Sequence, residues 1–298
     1  MSGVTYPHPK TQQAIVVIDK SKETSDNLSN FKPSSEELNS LKAFQPKEWT
    51  VPALSEKVEE IYADLSANIT HIYSRSDLHL LYDLTYHSVL TFKFDGKIIS
   101  GWVNTIVVGD SSQGKSETAN RMMEHYGLGE RVECKNASVA GLLGGLQQIG
   151  TRWFVSWGVI PTHDRRLVFL EEVKGTSPEV IGKLTDMRSR GIAEIPKIER
   201  RRTHARTRLV FISNPRSNRS ISAFNFGLDA IKELIGNLED IRRFDLALIV
   251  SAEQIDPKII NQLMIYRPNI EHRFTASLCR NLVLYAWTRK SDQVVFDE

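Results

Sequence analysis

Residues 102–118 read Trp-Val-Asn-Thr-Ile-Val-Val-Gly-Asp-Ser-Ser-Gln-Gly-Lys-Ser-Glu-Thr. They hold a complete G-x-x-x-x-G-K-S, running from Gly109 through Asp110, Ser111, Ser112 and Gln113 to Gly114, Lys115 and Ser116. A short apolar run, Thr105 to Val108, precedes it, and a helix-like segment, Glu117 to His125, follows. Strand before and helix after turn the spacing into a phosphate-binding loop. A nucleoside triphosphate is wrapped by backbone N–H groups, so glycine is needed where the chain turns tightly and approaches the phosphates. The N-terminus of the following helix adds partial positive charge under the anion. Lys115 is then expected to reach the β and γ phosphates of ATP, and Ser116 to ligate Mg2+.

Further along, Leu167–Leu170, Arg208–Ile212 and Leu246–Val250 are near-continuous apolar runs, and Arg131–Cys134 is a shorter one. Such runs suit buried parallel strands with helices on both faces, an α/β sandwich. Glu171 and Glu172 follow the third strand, at the strand end where an open α/β sheet places its ligands. Glu171 suits the Mg2+ site and Glu172 the polarisation of an attacking water. Asn214, in Ser213-Asn214-Pro215 after the fourth strand, is placed to orient that water or touch the γ-phosphate. Before the fifth strand, Asp240-Ile241-Arg242-Arg243-Phe244-Asp245 offers Arg243 as an arginine supplied to a neighbouring subunit's phosphate.

The 298 residues carry 41% hydrophobic and 25% charged side chains, the balance of an ordinary soluble protein. A net charge of +2 gives no global electrostatic footprint, so any nucleic-acid interface rests on local clustering. Cys134 and Cys279 lack partners at metal spacing and are assigned to packing in a reducing compartment. No apolar run is of spanning length and no secretory leader opens the chain, so a cytoplasmic protein without membrane contact is expected.

Residues 1–50 are polar and read as an arm or linker, partly disordered, with Ala14–Ile18 as an isolated strand. The 51–101 stretch is a helical lead-in plus a β-hairpin. Leu54, Val58, Ile61, Leu65 and Ile69 share one helical face; a second helix spans Ser76 to Leu90 with Ser76 as N-cap. Thr91–Phe94 and Lys97–Ser100 then pair through an Asp95-Gly96 turn. The remaining 102–298 form the nucleotide-binding core.

One cluster breaks the neutral balance. Arg188, Arg190, Lys197, Arg200, Arg201, Arg202, Arg206 and Arg208 are opposed only by Glu194 and Glu199. Ile192–Ile195 and the segment from Ile198 onward read as a hairpin with a basic tip. Phosphate contacts from Lys197, Arg200, Arg201 and Arg202 would give salt-sensitive binding of single-stranded DNA with little sequence preference.

From about Leu54 onward the order of these motifs resembles the AAA+ core of the minichromosome-maintenance (MCM) replicative helicases, in a phage-like or mobile-element relative. His71-Ile72-Tyr73-Ser74 is similar to the family's segment before the phosphate loop. Gly109 to Ser116 is similar to its Walker A, which usually has Ala in place of Gly114. Ala137–Leu142 resembles the start of the helix-2 insert. Leu167–Glu172 resembles Walker B, with Glu171 for the expected Asp. Gly191–Arg206 resembles the presensor-1 hairpin, Ser213-Asn214-Pro215 sensor 1, and Arg243-Phe244-Asp245 the arginine finger, with Arg242 for the usual Ser. The resemblance implies a P-loop AAA+ three-layer sandwich with helix-2-insert and presensor-1 β-hairpins. It implies a homo-oligomeric, hexameric ring that hydrolyses ATP between subunits and moves single-stranded DNA, with a primase or loader as a further partner class. The family's N-terminal oligonucleotide-binding domain is not recognisable, and the sequence stops where the family's helical lid begins, so a truncated lid is expected. Two other functions fit the motifs: a MoxR or chelatase-type remodeller acting on protein, and a non-hydrolysing nucleotide switch that loads or scaffolds a replication complex.

Overall fold

The computed structural model describes residues 2–7, 14–20, 28, 30–149, 152–195, 201–265 and 268–296. The chain divides into two units, Met1–Lys32 and Pro33–Glu298. In the first, β1 (Ser2–Pro7) pairs antiparallel with β2 (Ala14–Lys20). The run expected to stand alone therefore has a partner, because Val4, Thr5 and Tyr6 supply a second stretch with strand propensity.

The second unit begins with α1 (Ser35–Ser40), closed by a reciprocal capping box between Ser34 and Glu37. This helix lies inside the segment read as an arm, and the Ser34-to-Glu37 spacing is its sequence signal. Helix α2 (Val51–Leu65) is capped by Thr50 and runs into one π turn, Ser66–Thr70. Helix α3 (Ser76–His87) corrects the expected cap: Arg75 is the N-cap residue, its carbonyl accepting from His79 N at 3.2 Å, so Ser76 is already helical. Its end falls at His87 rather than Leu90, because Ser88 turns extended with ψ 133°. Strands β3 (Thr91–Phe94) and β4 (Lys97–Ser100) form the expected hairpin, with Asp95 and Gly96 both at positive φ.

The rest alternates strand and helix around one sheet. In order come β5 (Thr105–Gly109), α4 (Lys115–Tyr126), β6 (Glu130–Glu133), α5 (Val139–Leu142), the hairpin β7 (Gly144–Ile149) and β8 (Arg152–Trp157), and α6 (Val159–Thr162). There follow β9 (Leu167–Glu171), α7 (Pro178–Arg190), the hairpin β10 (Ile192–Ile195) and β11 (Arg201–His204), and β12 (Arg208–Ser213). The chain continues with α8 (Gly227–Ile235), α9 (Leu238–Ile241), β13 (Leu246–Val250), α10 (Pro257–Ile265) and α11 (Ala276–Trp287).

Five strands make an all-parallel sheet in the order β13-β5-β12-β9-β6. Strands β5, β9 and β12 are buried along their whole lengths, which is why they are apolar without alternation. Ile106, Val108, Val168, Leu170, Leu209 and Phe211 face α7 and α8, which contribute Ile181, Leu184, Ile231 and Leu234. On the other face Phe169 meets the rings of Tyr82 and Tyr86 from α3 edge-on or tilted, at 5.7 and 6.0 Å. The result is a three-layer α/β sandwich. A buried Asp64 ties the C-terminal helix to α2 by accepting from the N–H groups of Arg273 and Phe274, both at 2.7 Å.

Part of the basic cluster belongs to this architecture. Arg208 is fully buried at the start of β12, donating to Ser88 O and to Arg165 O at 2.6 Å and lying over the Trp287 ring. Arg188 is buried on α7 against Phe244, 4.0 Å from the ring centroid. Arg206 pairs bidentately with Asp164. These three are therefore removed from the expected DNA-facing charge: carbonyl, carboxylate or ring partners offset the cost of taking each guanidinium out of water.

Candidate nucleotide site

The sheet order explains the site. β12 lies between β5 and β9, so the loops leaving the C-terminal ends of these three strands converge. The register pairs Ser213 with Val108 and Ile212 with Glu171, which brings Asn214 beside Gly109 on one side and the acid pair on the other.

The phosphate loop turns as its glycines require. Gly114 sits at φ 80°, and a Cβ there would lie 2.9 Å from Ile72 Cγ2. The alanine usual in the resembled motif would thus clash with this chain's own lead-in segment. At Gly109 a Cβ would meet Val250 O at 2.2 Å, so the end of β13 packs directly on the loop's first residue. Lys115 and Ser116 occupy the first turn of α4, two residues earlier than the helix read from the sequence.

Lys115 is buried, and its ammonium donates to Gly109 O (3.0 Å), Asp110 O (2.5 Å) and Asn214 Oδ1 (2.9 Å). Burial lowers its pKa to about 8, while the carboxylates of Asp110 and Glu172 pull the other way. A bound triphosphate would add to that pull and hold the charged form. Asn214 Nδ2 donates to Ser111 Oγ at 3.1 Å, so Asn214 spans from the loop to its lysine. Asp110 joins three loops: its carboxylate accepts from Ile221 N and Ala252 N, each at 2.8 Å. Burial opposes its charge, but those N–H groups with Ser220 and Lys115 hold its pKa below the usual carboxylate range.

Glu171 is buried, and burial raises its pKa against the opposing pull of Arg131 and the nearby Ser116 hydroxyl. Arg131 on β6 holds Glu171 Oε2 through Nε at 2.8 Å and Nη2 at 2.6 Å. Oε1 is buried with no hydrogen-bond partner among the described residues. Such a buried carboxylate oxygen, on a side chain whose charge the Ser116 hydroxyl also stabilises, fits a hard divalent cation. No group of three or more His, Cys, Asp or Glu that could hold a metal occurs among the described residues, so such an ion would take its remaining ligands from phosphate and water. Glu172 directly follows in the left-handed region, φ 53°, a conformation uncommon for a residue with a Cβ. That twist turns its partly exposed carboxylate away from the strand, 3.5 Å from Lys174 Nζ.

Arg243 stands apart from this group. Asp245 exchanges hydrogen bonds with Asn104 just before β5, whereas the phosphate loop leaves the other end of that strand. A strand of this length separates the two by about 20 Å. The Arg243 side chain is exposed and forms no salt bridge among the described residues, so Asp240 and Asp245 do not neutralise it. The basic hairpin also projects from that opposite end, where β11 leads into the start of β12. Arg201 and Arg202 are exposed on β11, and Arg202 Nε pairs with Glu194 at 3.0 Å across the hairpin. Lys197 and Arg200 lie outside the described residues.

Three side chains at the site escaped the sequence reading. Arg75 contacts Gln113, Arg131 contacts Glu171, and Lys174 contacts Glu172 and Asn218. Only Lys174 carries a local signal, its closeness in sequence to the acid pair. A scan against models of known protein families gives no match, and a search of curated proteins gives none either. No helix among the described residues is long and apolar enough to cross a membrane.

Proposed function

We propose that this chain is an ATP-hydrolysing motor of the AAA+ type, similar to the MCM helicase core, acting on single-stranded DNA as a ring of identical subunits. One observation carries the proposal: Lys115, Asn214 and the Glu171–Glu172 pair converge at the C-terminal ends of β5, β12 and β9, with Lys115 Nζ and Asn214 Oδ1 2.9 Å apart. In this assignment Lys115 and the backbone from Gly109 to Ser116 bind the triphosphate. Ser116 and Glu171 would hold Mg2+, which would supply charge neutralisation at the phosphates. Glu172 takes a proton from the attacking water, and Asn214 orients that water or the γ-phosphate. Arg243, remote from its own phosphate loop and unpaired, serves the site of the adjacent subunit. The hairpins β7–β8 and β10–β11 take the places of the helix-2 insert and presensor-1 hairpin, with Arg201 and Arg202 joining Lys197 and Arg200 in gripping phosphates.

The shared site is tested by mixing. Arg243→Ala and Lys115→Ala subunits, each inactive alone, are expected to recover part of the ATPase when combined, because some interfaces then pair an intact loop with an intact finger. No recovery at any ratio would sink the shared site.

A protein-remodelling ATPase is favoured by one feature. Val139, Leu143, Leu146, Met187, Ile192 and Ile195 line an apolar groove of about 750 Å3 between β7, α7 and β10, more suited to a peptide than to a phosphate backbone. Stimulation of ATPase by single-stranded DNA that fades with salt separates the helicase from this remodeller.

A further inference from the structure

Arg75 is buried beside the Gly109–Ser116 loop, and among the described residues every hydrogen bond its guanidinium makes goes to a neutral acceptor. Nη2 donates to Gln113 Oε1 (2.7 Å) and to Ser251 O (2.8 Å), and Nη1 donates to Gln254 Oε1 (2.8 Å). Nε has no partner. Asp77 and Asp110 act on it electrostatically, but neither forms a salt bridge with it among the described residues. A buried cation without an ion pair is costly, and the cost falls when an anion arrives nearby.

Its surroundings hold it against the loop. The backbone N–H of Arg75 donates to Tyr62 Oη at 3.2 Å, and its carbonyl meets His79 Nδ1 at 2.9 Å. Ser74, just before it, takes a left-handed φ of 58°. Three residues earlier, Ile72 packs on Gly114. Two consecutive loop residues, Gln113 and Gly114, are thus braced by one short segment. From Gln113 a chain of polar contacts continues: Gln113 Nε2 to Ser111 O at 3.5 Å, Asn214 Nδ2 to Ser111 Oγ, and Lys115 to Asn214.

We propose that Arg75 is a positioning residue of the nucleotide site, fixing the phosphate loop through Gln113 and adding a second buried positive charge that a bound triphosphate compensates. The inference rests on the assignment of the loop to ATP. Its consequence has two signs: the charge strains the empty protein and favours the loaded one.

The test uses the full chain with Mg-ATP and a fluorescent ATP analogue. Arg75→Gln is expected to weaken nucleotide binding roughly tenfold, the scale of one hydrogen bond to a charged group. Its melting temperature without nucleotide should stay at or above that of the parent, and the loss should appear in KM rather than kcat. Arg75→Lys, which keeps the charge, is expected to recover part of the affinity. Gln113→Ala should weaken binding less, and non-additively with Arg75→Gln. Unchanged affinity in Arg75→Gln overturns the proposal. So does a lowered melting temperature with unchanged affinity, which is the mark of a purely structural arginine. If Arg75→Gln does not fold, Arg75→Lys and Gln113→Ala decide, and parental affinity in both overturns the proposal. Failure of the parent chain itself to bind ATP would instead sink the nucleotide assignment.

Discussion

Lys115→Ala is expected to weaken ATP binding by roughly a hundredfold or more and to abolish turnover, because one buried ammonium makes the charge-assisted contacts to the phosphates. The geometry argues for so large an effect. Lys115 is buried, its pKa is already lowered to about 8 by desolvation, and it holds Asn214 and two loop carbonyls in place of phosphate oxygens. Alanine removes the charge and also frees Asn214 from its position. Titration of the fluorescent ATP analogue measures the first loss directly. A thermal melt supplies the control: ATP should raise the parent's melting temperature and leave that of Lys115→Ala unmoved. Near-parental affinity in the variant would mean that the triphosphate is held elsewhere.

Glu172→Gln is expected to leave binding near the parental value and to lower turnover by about 100- to 10,000-fold, the usual contribution of a general base. Glu171 and Glu172 are adjacent in sequence but stand in different surroundings, and the proposed function gives them different tasks. Glu171 ends a buried strand, is tied by Arg131, and keeps one oxygen without a hydrogen-bond partner among the described residues. Glu172 sits past the strand in a left-handed turn, partly exposed, with Lys174 at 3.5 Å. The amide keeps the shape and the hydrogen-bonding reach but cannot accept the proton. Glu171→Gln serves as the counterpart, expected to disturb Mg2+ dependence first. Normal hydrolysis by Glu172→Gln would move the base to another residue.

The parallel core was legible because β5, β9 and β12 are short apolar runs buried along their lengths, and the edge strand β13 is also an apolar run, though only partly buried. The turn between β5 and α4 was legible from spacing alone, since glycines at fixed offsets after an apolar run have a direct physical cause. What stayed hidden depends on distance in the chain. Arg75 meets Gln113 across 38 positions and Arg131 meets Glu171 across 40, with no periodicity to announce either contact. Charge counting also treated all arginines alike, so Arg188 and Arg208 were placed with the exposed hairpin rather than in the interior they occupy. Helix α11 went unread even though its Trp287 lies buried over Arg208 and donates to Tyr86 O at 2.6 Å. Its partners come from α3 and β12, far earlier in the sequence.

In the proposed function the converged Lys115, Asn214 and Glu171–Glu172 group hydrolyses ATP in the service of a DNA-gripping ring. Steady-state turnover of Mg-ATP by the full chain, with and without single-stranded DNA and across a salt series, tests it most directly. The expected result is measurable turnover that rises with DNA and loses that rise as salt increases. Turnover no higher than that of Glu172→Gln, with DNA present at low salt, would contradict it.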